Sequence, residues 1–157
     1  MMTLLRRTRS VVGVATFAML SVCISIPSAR AGVNAPPSPT ELRGRMLDLV
    51  DRARTHHDLP VLRLSDRLSK EALAHSRHMA RSGEISHASD LGDLIHSMGG
   101  TVFGEDIAKG RGLRGIYEAW LQRSDTRAVL LDARFRHVGL GVVHVDGFYW
   151  VTLQAFD

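Results

Sequence analysis

Apolar positions recur at helical spacing through the first part of the folded region. Leu42, Met46, Leu49, Val50 and Ala53 predict a helix with one buried face. Thr40 is the expected cap, Glu41 suits the first turn, and the helix should end near His57, before Asp58-Leu59-Pro60. Ser65 should cap a second helix whose inward stripe is Leu68, Ala72, His75 and Met79, with Gly83 as its left-handed terminator. Ser89 should cap a shorter helix over residues 90–98, ended by Gly99-Gly100. Thr101–Ala108 reads as a short strand around Val102-Phe103. Glycines at 110, 112 and 115 bracket a loop, Ile116 and Trp120 mark another helix, and Ser124 can cap one more through Leu131.

The pattern changes period at the C-terminal end. Arg136–Val145, Asp146-Gly147 and Phe148–Phe156 predict a hairpin, the Asp-Gly pair suiting a type I′ turn. Val138, Leu140 and Val142 fall on one face, with Val143 and Val145 on the other. The second strand is also apolar on both faces, Phe148 and Trp150 against Tyr149, Val151 and Leu153. A sheet that is apolar on both sides needs cover on both sides, and helices are the cover this chain offers. The expected fold class is therefore α+β, a three-layer α–β–α sandwich around a small central antiparallel sheet. Gly139 and Gly141 lie inside a strand, where their role is close approach of a helix rather than phosphate binding.

The first 31 residues have a different character. Arg6, Arg7 and Arg9 precede the uncharged apolar run 11–26, Pro27 breaks it, and Ala29-Arg30-Ala31 offers a small-x-small cleavage site. Sixteen apolar residues fall short of the ~20 that span hydrocarbon. Residues 1–31 are accordingly expected to be a signal peptide, residues 32–39 a proline-rich leader, and residues 40–157 the domain. The product should be secreted, extracellular or in the cell envelope, with no stable membrane anchor after cleavage. The formal charge of +4 resides in this segment, since the rest holds sixteen basic and sixteen acidic residues. A nucleic-acid partner, which needs clustered positive charge, is not expected. The lone Cys23 excludes a disulfide framework, a thiol nucleophile and a cysteine-ligated metal from the domain.

Common catalytic motifs are absent: there is no His-Glu-x-x-His, Walker loop or Gly-x-Ser-x-Gly. The histidines have ordinary explanations. His56-His57 suit a helix C-terminus, His75 continues a buried stripe although His75 and His78 could clamp a metal, and His96 and His144 default to packing or surface roles. His87 and Glu105 stand apart, because both lie at ends of regular elements where a cleft can form. A neutral imidazole and a carboxylate make half of a zinc site, an acid–base pair, or a structural hydrogen bond.

Several blocks together resemble one family. Leu59-Pro60-x-Leu62, the run Leu68-x-x-x-Ala72-x-x-His75-Ser76-x-x-Met79-Ala80, Ile85-Ser86-His87, Gly104-Glu105-Asp106-Ile107-Ala108, Ala119-Trp120, Phe135-x-x-Val138-Gly139-x-Gly141-Val142 and Tyr149-Trp150-Val151-Thr152 occur in the order found in the CAP superfamily of cysteine-rich secretory, antigen 5 and pathogenesis-related proteins. The match runs from about Leu42 to Phe156 and resembles the short, disulfide-free bacterial branch. The resemblance implies an α–β–α sandwich with a cleft where two histidines and two acids hold a divalent metal in some members. By position, His87 matches the first histidine and Glu105 the first glutamate. Thr126 stands where the second histidine belongs, Arg123 where animal members carry the second glutamate, and Asp106 replaces the usual asparagine. A threonine hydroxyl is a poor zinc ligand and a guanidinium repels a cation. If Arg123 faces the cleft it should pair with Glu105 or Asp106. His87 and Glu105 then form an incomplete metal site that could hold at most a weakly bound divalent metal such as zinc. No cofactor and no catalytic residue are expected. The resemblance implies a non-catalytic module that binds a lipid-like ligand, cell-wall material or a protein partner. The alternative is a metal-dependent hydrolase or protease using His87 and Glu105.

Overall fold

A computed structural model describes residues 36–157. The expected signal peptide 1–31, Cys23 and leader residues 32–35 lie outside the described residues. In chain order the elements are α1 (Pro39–His56), β1 (Arg63–Leu64), α2 (Asp66–Ser82), α3 (Leu91–Ser97), β2 (Phe103–Gly110), α4 (Leu113–Gln122), α5 (Ser124–Leu130), β3 (His137–Val145) and β4 (Phe148–Phe156).

The helices begin where local chemistry satisfies their first N–H groups. α1 is capped by Ser38 rather than Thr40. The Ser38 side chain accepts from the Glu41 N–H, the Glu41 carboxylate accepts from the Ser38 N–H, and Pro39 takes the first helical position. α2 starts on Ser65, whose hydroxyl accepts from the Leu68 N–H, and stops at Gly83 with φ +78°. α3 follows Asp90, not Ser89, and neither side chain closes its first turn. α5 follows Arg123, so Ser124 is its first residue and not its cap.

The sheet order is β1-β3-β4-β2. β3 and β4 form the expected hairpin, and β2 pairs antiparallel with β4. Asp146 and Gly147 have φ +51° and +76°, as a type I′ turn requires. The sheet is mixed rather than antiparallel, because Arg63–Leu64 runs parallel to β3. This two-residue strand is too short to leave a periodic signal. It is fixed by the Arg63 N–H donating to the Arg136 carbonyl and the Ser65 N–H to the Val138 carbonyl, both at 2.8 Å.

Helices cover both faces, giving the three-layer sandwich. α1, α4 and α5 bury Leu42, Met46, Val50, Ile116, Trp120 and Leu130 against Val138, Leu140, Val142, Val151 and Leu153. α2 and α3 cover the opposite face, where Met79 packs on Val143 and Trp150, and Leu68, Leu91 and Ile95 pack on Phe156. α2 lies so close that a Cβ on Gly141 would collide with the Ala72 carbonyl group, and one on Gly139 with Leu68. The inward stripe of α2 differs from expectation at one position. Ser76, not His75, is buried, and its hydroxyl reaches the Gly141 carbonyl at 3.0 Å and Thr152 Oγ1 at 2.9 Å. His75 is only half-buried, and its Nε2–H donates to the Ser86 carbonyl at 2.6 Å.

Several buried polar residues escape the apolar pattern. Arg54 is fully buried and donates to the carbonyls of Pro60, Leu130 and Asp132 at 2.9, 2.9 and 3.1 Å. It thereby joins the end of α1 to the turn after α5. On the α2 face, Thr152 and Gln154 alternate with the apolar residues of β4 and are also buried.

Candidate functional site

β2 is an edge strand, and a cleft of about 420 Å³ runs along it, bordered by His87, Glu105, Asp106, Arg123 and Thr126. The left-handed Gly83 ends α2 and starts the loop that carries His87. Glu105 is the third residue of β2 and lies opposite Gln154, which lies opposite Gly139, so its side chain is on the α2 face.

The structure brings His87 and Glu105 into contact. His87 Nδ1 donates to Glu105 Oε1 at 2.7 Å, and the Ala88 N–H donates to the same oxygen at 3.0 Å. Gln154 Nε2 donates to Glu105 Oε2 at 2.7 Å. The Glu105 side chain is 5% exposed and that of His87 is 69% exposed. A buried carboxylate with three donors is fixed in place, while the imidazole it orients reaches into solvent.

The other three residues border the cleft without joining this pair. Asp106 projects to the opposite face of β2, in register with Leu153 and Leu140. It is 3% exposed, and its Oδ2 has no hydrogen-bond partner. Burial, reinforced by the nearby negative charges of Asp125 and Glu105, pushes its carboxyl up to about 8. Arg123 does not pair with Glu105 or Asp106 as expected. It bonds Asp125 at 2.8 Å, two residues away in the first turn of α5, where the partner is local and both groups stay exposed. Thr126 donates its hydroxyl to the Trp120 carbonyl at 2.7 Å, tying α5 to the end of α4.

The donor set does not fit a divalent metal. Both oxygens of Glu105 carry hydrogen bonds, the Thr126 hydroxyl is spent on a carbonyl, and an arginine borders the cleft. Among the described residues, no group of three or more His, Cys, Asp or Glu is placed to hold a metal ion. Also among the described residues, no helix is long and apolar enough to cross a membrane.

A second concavity, of about 380 Å³, lies away from this cleft between the start of α1, the last turns of α2 and the end of β3. Its walls are mainly apolar, from Pro37, Leu42, Ala80, Val143 and Val145, with Arg77 and Arg81 beside them.

Sequence reasoning missed Gln154. Its signal was a polar residue two positions after Thr152, inside a strand otherwise read as apolar on both faces.

Known proteins agree with this architecture. The model of the CAP, cysteine-rich secretory protein family matches residues 47–155. The uncharacterized protein YkwD of Bacillus subtilis (strain 168) is 29% identical over 124 residues, which are 74% of this chain and 48% of that protein. The chain thus spans about half the length of that relative. The structure of an extracellular protein containing an SCP domain, from Bacillus anthracis, superposes with TM-score 0.63 at 26% identity, covering 80% of this chain and 45% of that one. An outer surface protein from Borrelia burgdorferi has the same fold, with TM-score 0.69 at 17% identity over 77% of this chain and 96% of its own. Over more than half of its length, and in the order of its helices and strands, this chain belongs to the CAP family of cysteine-rich secretory proteins.

Proposed function

We propose that this chain is a non-catalytic binding module that works outside the cytoplasm on a lipid-like ligand. The observation that carries the reading is the state of the cleft. Its imidazole and carboxylate are bonded to each other, and the positions that would complete a metal site are engaged elsewhere. Zinc catalysis requires three protein ligands and an open position for water.

The ligand class rests on the second concavity. A mainly apolar groove with two arginines alongside suits an acyl chain carrying an anionic head group. Location outside the cytoplasm is supported by the signal-like residues 1–31 and by the extracellular and outer-surface descriptions of two similar structures. The competing reading, a metal-dependent hydrolase, has the oriented His87–Glu105 pair in its favour and lacks a third ligand.

Palmitate titration of the purified protein tests the proposal. Saturable binding that Ala80→Trp abolishes and His87→Ala leaves unchanged is the expected result. Absence of palmitate binding, or a metal-dependent hydrolytic activity lost in His87→Ala, overturns it.

A further inference from the structure

The hairpin end of the sheet holds an apolar row between two pairs of cations. On the α2 face, Val143 of β3 lies opposite Trp150 of β4, and Trp150 lies opposite Lys109 of β2. One step towards the Asp146-Gly147 turn, Val145 lies opposite Phe148. Met79 of α2 covers Val143 and Trp150. The Val145–Phe148 row lies at the end of that cover, Val145 being 40% exposed and Phe148 half-buried.

The cations flank this row. On the β2 side, Lys109 Nζ and the Arg111 guanidinium carbon each stand 4.8 Å from the centre of the Phe148 ring. On the β3 side, Arg77 and Arg81, one turn apart in α2, line the apolar groove together with Val143 and Val145. Among the described residues the ion pairs involve none of these cations. Asp146 stands in the turn, and Glu41, next to the groove, is spent on the cap of α1. Basic and acidic residues balance beyond residue 31, so this clustering is local.

We propose that this end of the molecule docks on the surface of an anionic phospholipid bilayer. The Val145–Phe148 row meets the acyl boundary, and Arg77, Arg81, Lys109 and Arg111 meet the lipid phosphates. Long basic side chains lay their stems along apolar surface and keep their charged ends in the head-group layer. A nucleic acid offers phosphates but no apolar layer for Val145. Such a small apolar contact with a few cations gives reversible attachment, not insertion. The proposal goes beyond the acyl-chain groove and does not require that the groove be filled.

Sedimentation of the full chain with lipid vesicles tests it. Vesicles of phosphatidylglycerol and phosphatidylcholine should bind the protein, pure phosphatidylcholine should bind it far less, and added salt should weaken the attachment. The double variants Arg77→Gln/Arg81→Gln and Lys109→Gln/Arg111→Gln should each weaken binding about tenfold or more. In nanodiscs of the same anionic composition, spin-labelled lipid should broaden the Val145 methyl signals. It should spare those of Val61, which is exposed near β1, at the opposite end of β3. Equal binding to both vesicle types, or none to either, overturns the proposal. So does unchanged affinity in both double variants, equal broadening at Val61 and Val145, or release from the vesicles by double-stranded DNA. Palmitate binding needs no bilayer, and Lys109 and Arg111 do not line the groove, so the two readings fail separately.

Discussion

His87 Nδ1 lies 2.7 Å from Glu105 Oε1, and the two partners depend on each other unequally. The imidazole is exposed and held by this bond. The carboxylate is buried and keeps the Ala88 N–H and the Gln154 amide when the imidazole is removed. His87→Ala should therefore cost no more than about 1 kcal/mol of stability, within the range of exposed ion pairs. Glu105→Ala strands a buried amide as well and should cost about 2–3 kcal/mol. Urea denaturation of both variants measures this difference, and equal costs would contradict the geometry.

Asp106 makes stability depend on pH. Its folded-state value of about 8 lies above the ordinary carboxylate value of 3.8. The folded protein thus holds a proton that the unfolded chain has released. The stabilisation is full below about pH 4 and declines as pH rises towards 8, by up to about 1.4 kcal/mol per unit. Asp106→Asn removes the proton uptake that folding requires of this buried carboxyl. It should flatten this contribution and raise stability at neutral pH. Urea midpoints of parent and variant across about pH 5 to 8 check the sign. A variant less stable than the parent at neutral pH would be the opposite outcome.

Trp150 sits between the sheet and α2, 4% exposed, against Met79 and Val143, with Lys109 Nζ 4.4 Å from its ring. Trp150→Ala should cost about 3–5 kcal/mol, as truncation of a buried aromatic does. A denaturation midpoint near that of the parent would contradict burial of this face.

Arg54 is a strut between distant backbone segments. Its guanidinium serves the carbonyl of Pro60 and, across a distant part of the sequence, those of Leu130 and Asp132. Arg54→Leu leaves those buried acceptors unpaired and should cost about 3–5 kcal/mol, the range for breaking a buried charged network. Arg54→Lys should recover little of it, because an ammonium cannot span several carbonyls as a planar fork does. Thermal melting of both variants measures this.

The elements with strong periodicity were legible in the sequence. The β3–β4 hairpin, its Asp146-Gly147 turn and the Gly141 approach to α2 all follow from side-chain alternation and turn chemistry. Features set by long-range backbone bonds were not. β1 exists because its N–H groups meet β3, and the choice of Ser76 over His75 as the inward residue depends on Thr152, seventy-six positions later. At the cleft, the His87–Glu105 pairing follows from the family resemblance of two separate blocks. The capture of Arg123 by Asp125, and the placing of Asp106 on the other face of β2, needed the strand register and the start of α5.

Calorimetric titration with zinc decides whether the cleft holds a metal ion. No stoichiometric binding to the parent protein at micromolar concentrations is expected, with a measurable gain in Thr126→His, which supplies a third nitrogen or oxygen ligand beside His87 and Glu105. Tight one-to-one zinc binding by the parent, lost in His87→Ala, would contradict it and restore the hydrolase.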